Sequence, residues 1–183
     1  MRIIRSRQET RERILLATQS LLDRSSAQDF QIRDVAREAG VSASLIIQYF
    51  NSKNDLVFEA ALRRLEGVHS SLVRRFTATP PKTLAAVMED FIDADWPISH
   101  IIRDLMTLSW WWSAAEEDRV NEAFRPRVEA VRAALAAGGA EPAPALVQAA
   151  MDAYFAAFRG GCVMGLSRED TTAAVLDRIA LIT

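Results

Sequence analysis

Cysteine is almost missing from this chain. Cys162 stands alone among 183 residues, so no intrachain disulfide can form, and the expected setting is intracellular and cytoplasmic. Histidine is nearly as scarce: His69 and His100, well apart and with a single thiol between the rest of the chain and a metal, argue against a zinc cluster. Seven Gly and six Pro leave long stretches without a helix breaker. No segment alternates apolar and polar residues long enough to read as a strand. Charges interrupt every apolar run, so neither a signal peptide nor a membrane span is expected. There is no Gly-x-Ser-x-Gly elbow, no phosphate-cradling Gly loop, no His-Glu-x-x-His and no credible Ser/His/Asp or Cys/His set. These gaps argue against an enzyme and imply no cofactor.

What is present is apolar and helical. Half the residues are hydrophobic and a quarter charged, enough to bury a sizeable core. The net charge is −2, but it is unevenly spread. Residues 1–53 carry nine Lys/Arg against six acids, and the remainder is net −5. A basic head on an acidic body suits contact with a polyanion at the head alone.

Apolar residues recur at helical spacing through most of the chain. Ser6-x-x-Glu9 has the spacing of a capping box and places the start of a first helix near Arg7, with Arg2, Arg5 and Arg7 as a short basic arm. Ile14, Ala17, Thr18, Leu21 and Leu22 give its inner face. Ile32, Val35, Ala36 and Ala39 mark a short second helix. Gly40 supplies the turn, Ser42 the N-cap of a third helix, and Ile46 and Phe50 its inward anchors. After Ser52, a long helix carries Phe58, Leu62, Leu65, His69, Leu72 and Phe76 until Pro80-Pro81. A fifth holds Leu84, Val87, Met88, Phe91 and Ile92. Further apolar stripes follow over 98–112 and 120–135, then an Ala-rich helix from Leu146 to about Met164, and a last one capped by Ser167. The expected fold is all-α, about nine to ten helices, with a three-helix unit over 1–51 and a larger helical body over 52–183.

Two short helices around Gly40 form the layout of a helix-turn-helix, whose second helix enters the DNA major groove. Ala43, Ser44, Ile47 and Gln48 then face the bases, with Ser42 beside them as a further DNA-binding candidate: Gln48 can pair with adenine, and Ala43 and Ile47 can meet thymine methyls. Arg33 can reach guanine or a phosphate, and Gln31, at the start of the second helix, a phosphate.

The string from Ile14-Leu15 through Ile32-Arg-Asp-Val-Ala36, Ala39-Gly-Val-Ser42 and Phe50 to Ser52-Lys53 resembles the TetR family of bacterial transcriptional regulators. The resemblance covers residues 7 to about 62. It implies a DNA-binding domain over 1–51 and an effector-binding and dimerisation domain over 52–183, a homodimer with two DNA heads on a palindromic double-stranded operator, repression relieved by a small-molecule effector, and phosphate contacts from Tyr49 and Lys53. This chain departs from the family in carrying Leu45 and Ile47 where a hydroxyl residue and an aromatic are usual. The alternative is therefore a helical ligand-binding or interaction protein with weak or lost DNA recognition.

In the body, His69, Met88, Phe91, Trp96, Met106, Trp110 and Trp112 are the candidates to line an effector pocket. The competing reading for His69 and for each Trp is plain core packing. Ala149, Ala153, Tyr154, Ala157 and Phe158 on the Ala-rich helix are the candidates for a dimer face, paired with the helix over 120–135 in a four-helix bundle.

Overall fold

The computed structural model of the protein describes residues 2–79, 83–108, 113–137 and 143–182. Among these, nine α-helices and one 3-10 turn account for all regular structure: α1 (Arg2–Leu22), α2 (Ile32–Ala39), α3 (Ala43–Phe50), α4 (Lys53–Ala78), α5 (Leu84–Asp95), the 3-10 turn Trp96–Ile98, α6 (Ser99–Leu108), α7 (Ala114–Ala137), α8 (Pro144–Met164) and α9 (Arg168–Ala180). No helix among the described residues is long and apolar enough to cross a membrane.

The chain forms two compact units, Met1–Leu65 with His100–Trp112, and Glu66–Ser99 with Ser113–Thr183. The boundary between these units falls inside α4. In the first unit α2 packs on α1 and on α3. Ile14, Leu22, Val35, Ile46 and Phe50 are buried there together with Leu56 and Val57 from the start of α4. Each such side chain contributes about 1.5–3 kcal/mol on leaving water. Polar ties lash α4 along α1: Arg63 donates both terminal nitrogens to Glu12, at 2.6 and 2.5 Å. Arg11 pairs with Glu59 at 3.1 Å, and Gln19 donates to the Ala60 carbonyl.

The residues of α6 complete this unit from far along the sequence. Asp104, 8% exposed, accepts from the Ser26 hydroxyl at 2.9 Å and the Ala27 N–H at 2.7 Å. His100 Nε2 bonds the Leu22 carbonyl at 2.8 Å. Both contacts satisfy backbone or hydroxyl groups in the connection between α1 and α2, where the first helix ends and its orphan carbonyls need partners.

In the second unit α8 packs closely on α9, and α5 lies against both α7 and α9. The α5 stripe Leu84, Val87, Met88, Phe91 and Ile92 is buried in full. Caps fix the helix starts: Thr83 Oγ1 accepts from Ala86 N–H at 3.2 Å, Pro144 opens α8, and Ser167 Oγ accepts from Asp170 N–H at 3.1 Å. Gly161 is where α8 meets Thr171 of α9. A Cβ there would lie 2.3 Å from Thr171 Oγ1, so only glycine allows this approach.

Two expectations need correction. The first helix begins at Arg2, not near Arg7. Residues 2–22 contain neither Gly nor Pro, so nothing stops the helix running back past Ser6, whose carbonyl accepts from Thr10 Oγ1 inside it. Arg2, Arg5 and Arg7 thus belong to a rigid helix and not to an arm. In α7 the buried positions are Ala123, Arg127, Val131, Ala134 and Leu135. The expected stripe of Val120, Phe124 and Val128 is only half-buried, because a charged residue, Arg127, occupies the inner face.

Candidate nucleic-acid interface and buried polar core

The helix-turn-helix is built as its residues require. Asp34 closes the start of α2 by accepting from the Gln31 N–H at 2.8 Å and pairing with Arg37 at 2.7 Å. The Gln31 backbone bond, ahead of Arg37, holds its carboxyl below the usual range. Gly40 adopts φ 65° and ψ 40°, the left-handed conformation that L side chains resist, and the following Val41 N–H returns to the Ala36 carbonyl. Ser42 Oγ accepts from Leu45 N–H at 3.2 Å and starts α3. Ile46 at 0% and Phe50 at 3% exposure pin the helix inward. Geometry then turns the remaining residues outward.

Gln31, Arg33, Ser42, Ala43, Ser44, Ile47 and Gln48 are all exposed, and Tyr49 is half-exposed. Ser42 and Ser44 share a hydroxyl contact at 3.0 Å. Ile47 keeps 43% of its surface open, an apolar side chain turned to water on a helix whose inner face is already filled. Lys53 is placed differently. Its ammonium donates to the Phe30 carbonyl at 2.5 Å and lies 5.1 Å from the Phe30 ring centre. Burial lowers its pKa, opposed by Asp29 and Asp34. Lys53 thus ties the connection before α2 to the start of α4.

The body candidates fare unevenly. His69, Met88 and Phe91 are buried and Trp96 is half-buried in the second unit, its ring edge-on to Phe158. Met106 belongs to the first unit, and Trp110 and Trp112 lie outside the described residues. Tyr154, Ala157 and Phe158 are corrected as dimer-face residues. They are 0%, 3% and 2% exposed within the protomer itself, because α8 turns this side toward its own core. Ala149 and Ala153 are half-exposed, on the side that also carries exposed Gln148, Asp152 and Ala156.

At the centre of the second unit lies a polar cluster. Arg127, 1% exposed, reaches Asp95, 2% exposed, with two nitrogens on two oxygens. Tyr154 donates its hydroxyl to Asp95 Oδ2 at 2.7 Å. Arg127 Nε donates to His69 Nε2 at 2.8 Å, which leaves His69 Nδ1 to donate to the Ala123 carbonyl. That pattern requires a neutral imidazole with its proton on Nδ1. Burial, and then the charge of Arg127, lower the His69 pKa to about 4. Burial and then Asp95 raise that of Tyr154 well above its ordinary value. The guanidinium also lies 4.7 Å from the Phe91 ring centre, 5.5 Å from Phe124 and 5.9 Å from Tyr154, so the cation is boxed by aromatic faces. Sequence reasoning missed Asp95 and Arg127. The signal was there: Asp95 stands four after Phe91, and Arg127 four after Ala123 and four before Val131, charges on otherwise apolar stripes.

An all-helical chain with a capped, outward-turned third helix is a helix-turn-helix protein with a larger helical body. Residues 14–60 match the family model described as bacterial regulatory proteins, tetR family. The HTH-type transcriptional regulator BetI of Ectopseudomonas mendocina (strain ymp) is 30% identical over 118 residues, covering 63% of this chain and 60% of that protein. A TetR transcriptional regulator from Rhodococcus sp. RHA1 superimposes with a TM-score of 0.66 at 16% identity, over 96% of each chain. A structure from Saccharomonospora viridis solved with choline gives 0.68 at 20% identity, over 94% of this chain and 96% of that one. FadR from Bacillus subtilis in complex with stearoyl-CoA gives 0.60 at 18%, over 93% and 96%. Residues 14–60 are thus similar to the DNA-binding segment of the tetR family, and the chain spans about 60% of the length of the curated relative it matches.

Proposed function

We propose that this protein is a cytoplasmic repressor that binds a palindromic double-stranded DNA operator as a homodimer and is released by a small-molecule effector. Residues 1–51 read the DNA, and 52–183 hold the effector and the partner protomer. The observation that carries this reading is the face of α3. Ser44, Ile47 and Gln48 are open to solvent while Ile46 and Phe50 lock the helix, the arrangement a base-reading helix needs. Ala43, Ser44, Ile47 and Gln48 meet base edges. Gln31, Arg33, Ser42 and Tyr49 fix register on the backbone, and Lys53 does so from its seat on Phe30. The dimer forms through the outer side of α8, with Ala149 and Ala153, where small residues permit close helix approach.

An effector that enters the second unit meets the Asp95–Arg127 pair. An effector that separates the two must present a cation to Asp95 or an anion to Arg127, since either charge left alone is costly. Relatives of this fold have been solved with choline and with stearoyl-CoA. Fluorescence anisotropy on duplexes selected by the protein from a random-sequence pool tests the reading. Selection of a two-half-site sequence, bound more weakly as salt rises, supports it. Failure to enrich any sequence favours a helical ligand-binding protein without DNA recognition.

A further inference from the structure

The first unit carries a cleft whose α1 side the helix-turn-helix reading leaves unused. It has a volume of about 350 Å³ and is lined by Arg7, Gln8 and Arg11 of α1 and by Gln48 and Tyr49 of α3. From this juxtaposition we infer that Arg7 and Gln8 hold a DNA backbone phosphate at the edge of the recognition helix, a contact made by α1 and additional to those of α2 and α3. The inference rests on the DNA-binding reading above.

Three observations lead to it. The first is that the lining is polar and cationic, opens to solvent, and adjoins the face of α3 that carries Gln48. The two arginines in it differ in charge balance. Arg11 is paired with Glu59 at 3.1 Å and lies 5.0 Å from the Phe50 ring centre, so its charge is already answered and its role is to hold α1 in place. Arg7 is exposed and, among the described residues, has no carboxylate partner; its guanidinium carbon lies 5.7 Å from the Tyr49 ring centre. A cation stacked on an aromatic face keeps its in-plane N–H groups directed outward, ready for an anion. The third observation is rigidity. The Arg63–Glu12 and Arg11–Glu59 pairs fix α1 one turn from Arg7, so a phosphate is met by a helix already in position, with little ordering cost.

The alternative is that Arg7 merely covers Tyr49 and steadies α3. Salt dependence separates the two. The duplex is the one selected by the full-length wild-type protein, and its affinity is measured from about 50 to about 200 mM salt. Loss of one phosphate contact per protomer in Arg7→Gln should flatten the log–log slope by about 1 per bound protomer, so about 2 for a dimer. The weakening should be equal on the selected duplex and on a scrambled one, and Arg7→Lys should restore the slope. Arg7→Gln that binds DNA with an unchanged slope overturns the inference and leaves the DNA-binding reading intact. So does a loss of affinity that Arg7→Lys fails to restore. A wild type that selects no duplex overturns both.

Discussion

Arg127 and Asp95 meet as a two-pronged ion pair with 1% and 2% of their side chains exposed. Asp95 ends α5 and Arg127 lies in α7, while their partners His69 and Tyr154 come from α4 and α8. The pair therefore ties α4, α5, α7 and α8 at one point. Removing one member strands the other charge in an apolar interior. Arg127→Met or Asp95→Leu should each cost about 3–5 kcal/mol, whereas the two changes together should cost much less than their sum. Urea unfolding of the three variants checks this; additive losses would show that the pair does not act as a unit.

His69 makes the same cluster sensitive to acid. In the unfolded chain the imidazole takes a proton near its ordinary 6.5, and in the fold only near 4. The unfolded state therefore binds more protons between those values. Stability should fall as pH drops from about 6.5 toward 4, by up to about 3 kcal/mol, and show no contribution from His69 above about 7. His69→Asn keeps a donor and an acceptor but does not titrate. The wild type should lose ground to this variant steadily as pH falls, and a gap that stays constant from pH 7 to 4.5 would contradict the low pKa.

At Gly161 the approach of α8 to α9 leaves no room for a methyl group. The Cβ of Gly161→Ala would meet Thr171 Oγ1 at 2.3 Å and Cγ2 at 2.7 Å, so the change should cost about 1–3 kcal/mol by overpacking. Adding Thr171→Ala should recover most of it. A thermal melt of the single and double variants reads both steps.

Gly40 is constrained for another reason. Nothing lies within 4 Å of where its Cβ would be, but φ is +65°. Gly40→Ala should cost about 1–2 kcal/mol through backbone strain alone. Gly40→Asn, which tolerates this region better, should cost less. Equal losses for the two would assign the penalty to something other than φ.

On α3, Gln48 and Tyr49 should part company in DNA binding. Gln48→Ala should relax preference at one base pair of the selected duplex by about 1–3 kcal/mol. Tyr49→Phe should weaken all duplexes alike, as a backbone contact does. Competition between the selected duplex and its single-base variants distinguishes the two patterns.

Much of this was legible in the residue pattern. The buried stripe of α5 was read residue for residue, as were Gly40, the Ser42 cap and the anchors Ile46 and Phe50, because each depends on local periodicity or backbone chemistry. Phe58 through Leu72 on α4 was equally plain. What the pattern hid was the side that each element shows to its neighbours. Tyr154 and Phe158 are large and apolar, and nothing along α8 says whether they meet this protomer or another. Arg127 and Asp95 were overlooked because a charge on an apolar stripe reads as an interruption until its partner, 32 residues away, is brought alongside. The start of α1 was misplaced because a capping-box spacing also occurs inside helices.

The grip of Asp104 and His100 on the connection after α1 means that the first unit is discontinuous in the chain. Chimeras that transplant a head between relatives by splicing at residue 51 would separate Leu22, Ser26 and Ala27 from the α6 groups that bond them. A folded graft has to carry α6 along with α1–α3 and the opening turns of α4, and recombination between related chains that divides these segments carries the same penalty.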